Sequence, residues 1–158
     1  MIKSESETLS ALASYCSQAE RCLFDIRKKM QAANLSKEEE RRITDKLLAE
    51  KFIDEKRFSR SFVHDKYKLN QWGRIKIRYE LKERGIRSED YEEALEAIDE
   101  DEYSTILSDI LKNKKRTLKG NSSQELFQKL YRFASARGYE AALIIKTLKT
   151  MLKNIDDD

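Results

Sequence analysis

Hydrophobic residues recur three and four positions apart along almost the whole chain, with polar residues between them. This spacing places apolar side chains on one face of a helix and predicts helices in series. Start signals are present, because Ser17-Gln18-Ala19-Glu20 and Ser36-Lys37-Glu38-Glu39 fit the capping box. Asn34, Gly85 and Gly138 each follow a periodic run, where a left-handed residue ends a helix. The pattern predicts an all-α protein.

The same pattern occurs three times: apolar residues four apart, a stop four residues later, and an apolar residue directly after it. The copies, at offsets of 51 and 53 residues, are Ile26, Met30, Asn34 and Leu35; Ile77, Leu81, Gly85 and Ile86; and Leu130, Ala134, Gly138 and Tyr139. Each copy predicts three helices, beginning near Thr8, Glu55 or Glu102, near Gln18, Arg74 or Ser123, and near Lys37, Ser88 or Glu140.

We therefore expect three tandem three-helix repeats. The first covers residues 1–53 with an N-terminal extension, the second covers 54–99, and the third covers 100–158 with an acidic C-terminal tail. Because each repeat can bury only a small core, neighbouring repeats should pack in series into an elongated, curved body. A longer loop is expected from Asn113 to Ser123.

The middle helix of the second repeat carries two predicted apolar faces. Ile77 and Leu81 share one face, and we expect them to be buried, as are their counterparts in the other repeats. Ile75 and Tyr79 lie roughly opposite, as in a helix packed between two others.

A basic stripe lies between these two faces. Arg74, Arg78 and Lys82 follow one another at intervals of four residues. The stripe lies beside Trp72-Gly73, after Lys66 and Lys68. It either covers apolar neighbours or binds an acidic partner. None of the three lies on the core face, so their charge reversal should leave the fold intact.

The amino-acid composition agrees with the all-α prediction, and the order of the charged residues adds information about possible partners. The 158 residues include no proline and four glycines, and 39% are charged, which excludes turn-rich β sandwiches and barrels. The net charge is only +3, yet residues 54–87 hold eleven basic and five acidic residues, and residues 88–102 hold nine acidic and no basic ones. Residues 103–119 are basic again. Such blocks favour an acidic or polyanionic partner, or ion pairs within the protein.

No stretch is apolar enough to span a bilayer, and the first dozen residues lack a secretory signal, so we expect a soluble cytoplasmic protein without a membrane partner. Cys16 and Cys22 are six residues apart and only one histidine is present, so we expect free thiols and no zinc site.

The sequence offers few candidates for catalytic residues. There is no glycine-rich phosphate loop, since Lys119-Gly120 lacks the flanking pattern. His64 has no nucleophile placed by pattern beside it. The adjacent carboxylates Glu89-Asp90 and Glu92-Glu93 are more typical of a solvated helix face than of a metal site. We expect a protein that is not an enzyme and needs no cofactor.

One segment, residues 54–86, carries a dense motif, whose positions are Asp54, Arg57, Phe58, Phe62, Val63, Lys66, Gly73, Ile77, Glu80, Leu81, Gly85 and Ile86. At these positions the segment resembles the RecX family of bacterial recombination regulators. The preceding copy is also similar to that family's first unit. The chain departs from the family in its basic segment from Asn113 to Asn121 and in its acidic block from Glu89 to Glu102.

The resemblance implies tandem three-helix repeats and a protein that binds the RecA filament and modulates its activity in recombination, DNA repair and the SOS response. DNA is a further candidate partner, and we expect a monomer. The residues expected to bind the partner or nucleic acid are Arg57, Lys66, Lys68, Arg74, Arg78, Lys82, Lys112, Lys114, Lys115 and Arg116. The alternatives are a stand-alone DNA-binding module that uses Tyr67, Trp72 and Tyr79 of the basic second repeat, and a helical scaffold for another protein.

Overall fold

The structure, a computed structural model, describes residues 4–153; in that range its secondary structure consists of helices joined by turns and loops, with no strand. This confirms the all-α prediction. The nine helices of the described range are α1 (Glu5–Gln18), α2 (Leu23–Met30), α3 (Lys37–Ala49), α4 (Glu55–Lys68), α5 (Arg74–Glu83), α6 (Ser88–Glu96), α7 (Glu100–Arg116), α8 (Ser123–Ala136) and α9 (Ala141–Met151). The acidic tail expected at the C-terminus lies outside the described residues from position 154 onward.

The described residues divide into two compact units. The first comprises the chain as far as Phe62 together with Leu81–Ala94, and the second comprises Val63–Glu80 together with the chain from Leu95 onward. Three helices fall in each of the ranges proposed for the repeats, but the division between the units passes through the middle range. The repeat boundaries therefore stay a prediction.

The first unit has an apolar core built by α1, α2 and α3. Its buried members are Leu12, Ile26, Met30, Ile43, Leu47 and Ile53. Apolar residues three and four apart supply these positions on α2 and α3, so each helix turns one stripe inward. In the second unit α7, α8 and α9 pack on one another around Leu107, Leu111, Leu130, Ile144 and Leu148. The predicted burial of Ile26, Met30, Ile77, Leu81, Leu130 and Ala134 is confirmed, at 0–2% exposure.

Several helix ends follow the sequence signals. The Ser36 hydroxyl accepts from the Glu39 N–H at 3.1 Å, and the Glu39 carboxylate accepts from the Ser36 N–H at 3.0 Å, which is the predicted capping box. Gly85 and Gly138 have positive φ, at 72° and 97°. Because a left-handed residue reverses the chain, the N–H after each glycine returns to a carbonyl of the preceding helix, Ile86 to Leu81 and Tyr139 to Ala134.

Three sequence expectations about helix ends are wrong. Ser17 does not begin a helix, because α1 continues through it and α2 starts at Leu23, where Asp25 accepts from the Cys22 N–H at 3.1 Å. Asn34 lies four residues beyond the end of α2, since the turn that ends this helix starts at Gln31. Residues 113–116 are helical, because α7 runs to Arg116 before the loop begins.

Candidate interaction surfaces

The start of α5 is fixed by a close backbone contact within the second unit. The Gly73 N–H donates to the Arg137 carbonyl at 2.8 Å, and the Ile75 N–H donates to the Gly138 carbonyl at 3.0 Å. A Cβ on Gly73 would overlap the Gly138 carbonyl, and a Cβ on Gly138 would overlap the backbone of Lys76. Two glycines are therefore required where the turn before α5 meets the turn between α8 and α9.

Arg74 belongs to a partly buried ion-pair network rather than to an exposed stripe. Its side chain is 15% exposed, pairs with Glu100, and donates to Glu140 at 2.7 Å. The guanidinium carbon also lies 4.0 Å from the centre of the Tyr103 ring, and the Arg74 N–H donates to the Tyr103 hydroxyl at 2.9 Å. Burial raises the pKa of Tyr103, and its hydrogen bond to Glu140 raises it further. Charge reversal of Arg74 should therefore destabilise the fold, contrary to the expectation from the helix wheel.

The outward face of α5 carries two large apolar side chains. Ile75 is 53% exposed and Tyr79 is 59% exposed, so the expectation that they pack against another helix is wrong. Arg78 is half-buried and Lys82 is exposed on the same side of α5. We call Ile75, Arg78, Tyr79 and Lys82 the α5 face. Aromatic and arginine side chains are the ones enriched at protein interfaces.

Three further basic residues of the second repeat have partners within their own unit. The Lys66 and Lys76 ammonium groups lie 4.7 and 4.4 Å from the centre of the Trp72 ring. Lys68 forms an ion pair with Glu102 at 3.0 Å, a hydrogen bond that raises the pKa of the lysine. These contacts show that part of the acidic block neutralises basic residues of the same unit, through residues at the start of α7.

Arg57 also has contacts within its own unit. It donates to Glu20 at 2.7 Å and to the carbonyls of Lys51 and Phe52, just after the end of α3. Its N–H donates to the Asp54 carboxylate at 3.0 Å, which holds the pKa of Asp54 below its usual range. The geometry gives Arg57 a structural task, and its proposed part in partner binding stays a prediction.

Basic residues of the segment 103–119 line an open groove at the end of α7. The groove has a volume of about 680 Å³ and is lined by Lys112, Lys115, Arg116, Lys119 and Met151. Lys114 points elsewhere, since its ammonium group lies 5.2 Å from the centre of the Phe133 ring. Sequence reasoning included Lys112, Lys115 and Arg116 but omitted Lys119 as a binding residue, although it continues the same spacing. We call these five lining residues the basic groove.

Reactive side chains are dispersed in the part of the chain that the structure describes. Residues 4–153 contain no group of three or more His, Cys, Asp or Glu side chains placed to hold a metal ion. Burial raises the pKa of Cys22 to about 12 and that of Cys16 by less, which keeps both thiols protonated. His64 is exposed beside Asp65, at 3.5 Å. Within the same range, every helix is too short or too polar to cross a bilayer.

The described residues thus define an all-helical protein with an exposed apolar face on α5 and a basic groove at the end of α7. A family model for the second three-helix domain of RecX matches residues 54–95. The chain is 29% identical to the regulatory protein RecX of Prosthecochloris aestuarii over 96% of this chain and 99% of that protein. It is 32% identical to the regulatory protein RecX of Clostridium tetani over 62% of this chain and 45% of that protein, so the match spans under half of the clostridial relative.

Solved structures share the same fold. A crystal structure of a regulatory protein RecX superposes with a TM-score of 0.82 at 21% identity, covering 95% of this chain and 73% of the other. RecX from Lactobacillus salivarius superposes with the same TM-score at 18% identity, covering 97% of that chain. The chain is thus similar in sequence to regulatory proteins RecX, most specifically over residues 54–95, and has the fold of the RecX structures.

Proposed function

We propose that this chain is a non-enzymatic regulator that binds the RecA recombinase filament and modulates its assembly or activity in recombination and DNA repair. The observation that carries the proposal is the α5 face, whose exposed apolar residues lie inside the segment matched by the RecX family model. Adjacent exposed apolar side chains flanked by basic ones have the chemical character of a protein-binding surface.

The α5 face supplies the chemistry that a protein partner needs. Burying Tyr79 and Ile75 against a partner removes apolar area from water, and such central anchors carry most of the affinity at interfaces. Arg78 and Lys82 contribute charge complementarity to acidic side chains, although one exposed ion pair contributes only about 0–1 kcal/mol. A filament presents the same surface at every subunit. Successive molecules of this protein can therefore bind along the filament, each through its own α5 face.

The alternative of a stand-alone DNA-binding module on the second repeat has less support. Tyr67 is buried, and Trp72 lies under the ammonium groups of Lys66 and Lys76. Only Tyr79 of the three aromatic side chains expected to stack on bases is exposed. The second repeat therefore offers a poor stacking platform for a nucleic acid strand.

Co-sedimentation with RecA filaments on single-stranded DNA tests the proposal, at about 0.2 M salt where phosphate-driven binding is weak. We expect the parent chain to pellet with filaments, and the Ile75→Ala/Tyr79→Ala variant to bind at least about tenfold more weakly. The matched control is Leu48→Ala/Leu69→Ala, which removes two exposed leucines outside the α5 face. Equal binding by both variants and the parent would contradict the assigned surface, and no binding by the parent would contradict the function.

A further inference from the structure

The basic groove brings four cations to one side of the C-terminal part of α7. Lys112, Lys115, Arg116 and Lys119 are spaced three, four and seven residues from the first, which places them along one stripe of a helix and the turn that follows it. Met151, the last residue of α9, also lines the groove. All of these residues belong to the second unit.

Among residues 4–153, the cations of the basic groove have no carboxylate partner. None of the described residues that line the groove is acidic, and within that range Arg116 donates only to the side chain of Asn113, at 3.2 Å. Within residues 4–153, Lys112, Lys115 and Lys119 take part in no ion pair. By contrast, Lys68 and Arg74 of the same unit are paired with Glu102, Glu100 and Glu140. The positive charge of the groove is therefore not neutralised by the described part of the protein.

The helix dipole accounts for only some of these cations. It favours positive side chains in the last turn of α7, where Lys115 and Arg116 lie. Lys112 lies one turn earlier, and Lys119 lies beyond the end of the helix, yet both line the same groove. Stabilisation of the helix end thus does not explain why four cations converge on one depression.

We propose that the basic groove binds the phosphodiester backbone of a nucleic acid strand without reading its bases. Guanidinium and ammonium groups donate charge-assisted hydrogen bonds to phosphate oxygens. A volume of about 680 Å³ is far larger than an isolated anion requires, and it suits a segment of a chain of phosphates. The five described lining residues include no aromatic side chain on which a base could stack, so the proposed contact is independent of sequence.

Fluorescence anisotropy with a labelled oligothymidylate tests this site. The variant Lys112→Glu/Lys115→Glu/Lys119→Glu is expected to bind at least about tenfold more weakly than the parent at low salt. The slope of log K against log salt should fall in magnitude by about 2, because each lost phosphate contact removes roughly 0.7. The matched control is Lys37→Glu/Lys46→Glu/Lys56→Glu, which changes the net charge equally at exposed lysines of the first unit. It should stay within about threefold of the parent.

Further arms identify the ligand. A labelled duplex and the labelled single strand, compared on the same proteins, show which source of phosphodiester binds more tightly, and both should weaken in the groove variant. Polyglutamate of matched charge should compete poorly. Equal losses in the groove variant and the control, or equal competition by polyglutamate, would overturn the proposal. If the glutamate variant fails to fold by circular dichroism, Lys112→Gln/Lys115→Gln/Lys119→Gln supplies the same comparison.

This site is separate from the α5 face, and the two proposals fail differently. The groove variant should still pellet with RecA filaments at about 0.2 M salt, where phosphate contacts contribute little. If the groove variant loses DNA binding but still binds filaments, the proposal that the basic groove binds phosphates is supported. If the groove variant still binds DNA, that proposal is overturned, whatever its binding to filaments.

Discussion

Leu81 and Ile75 lie on the same helix but should differ greatly in their contribution to stability. Leu81 is fully buried, so Leu81→Ala should lower the free energy of unfolding by about 2–5 kcal/mol through lost transfer energy and a residual cavity. Ile75→Ala should cost less than about 0.5 kcal/mol, because Ile75 is exposed. Urea unfolding measures both. A loss below about 0.5 kcal/mol for Leu81→Ala would mean that the core face of α5 is wrongly assigned.

Glu55 makes the stability of the first unit depend on pH. Burial raises the pKa of this carboxyl, opposed by the hydrogen bond from the Leu23 N–H at 3.0 Å, and its second carboxylate oxygen is buried without a partner. Asp25 and Asp90 raise the pKa further, and Arg27 lowers it. Because the pKa is higher in the folded state, the protonated carboxyl favours folding. This contribution is present below the unfolded-state pKa and is lost as the pH rises through the folded-state pKa.

Glu55→Gln isolates this effect. The amide keeps an acceptor for the Leu23 N–H and cannot ionise, so the variant should be more stable than the parent at pH 7. The difference should shrink as the pH is lowered toward 4, where the parent carboxyl becomes protonated. Unfolding free energies at the two pH values give the comparison. A difference that grows on acidification would contradict the assigned direction of the pKa shift.

The contact between the two turns is the most sensitive point at the scale of helices. Gly138 has φ of 97° and abuts Lys76, so Gly138→Ala should cost about 1–2 kcal/mol for the left-handed backbone and about 1–3 kcal/mol more for the overlap. Gly120 has φ of 83° with open space around it, so Gly120→Ala should show only the backbone cost. Thermal unfolding distinguishes them. Equal losses in the two variants would contradict the close contact between the turns.

Most helices could be predicted from the sequence because their ends carry local signals. α3, α4, α5, α6 and α8 begin at the predicted residues. The sequence pattern places the start of α2 too early, because Ser17 and Glu20 fit a capping box. In the structure Cys22 and Asp25 cap this helix, and the Ser17 hydroxyl donates to a carbonyl of α1. Local spacing cannot distinguish these two pairs, since the packing of the helices on each other decides where one ends.

The candidate surfaces were predicted less completely, because pairing between distant residues is not visible in a helical pattern. On a helical wheel Arg74 is equivalent to Arg78 and Lys82. In the structure Arg74 pairs with Glu100 and Glu140, which lie 26 and 66 residues away in the sequence. Ile75 and Tyr79 were assigned to a packed face because periodicity shows that a position is apolar, but not whether another helix covers it.

At the scale of the whole molecule, we propose two binding surfaces, the α5 face for a protein and the basic groove for phosphates. The division into residues 1–53, 54–99 and 100–158, the elongated body and the monomeric state stay predictions from the repeats. Binding through both surfaces at once would raise the overall affinity for a filament above that of either surface alone, because the second contact is then intramolecular. We propose that the α5 face, rather than the basic groove, is the surface that recognises RecA.

The salt dependence of binding tests that central claim most directly. Binding of the parent chain to RecA filaments and to the same single-stranded DNA alone is measured across about 0.05–0.3 M salt. We expect log K to fall only slightly with log salt for filaments and steeply for DNA alone. Ions screen phosphate contacts, whereas they do not screen buried apolar anchors. Equal steep slopes, with binding to filaments and to bare DNA lost together, would contradict recognition of the filament protein.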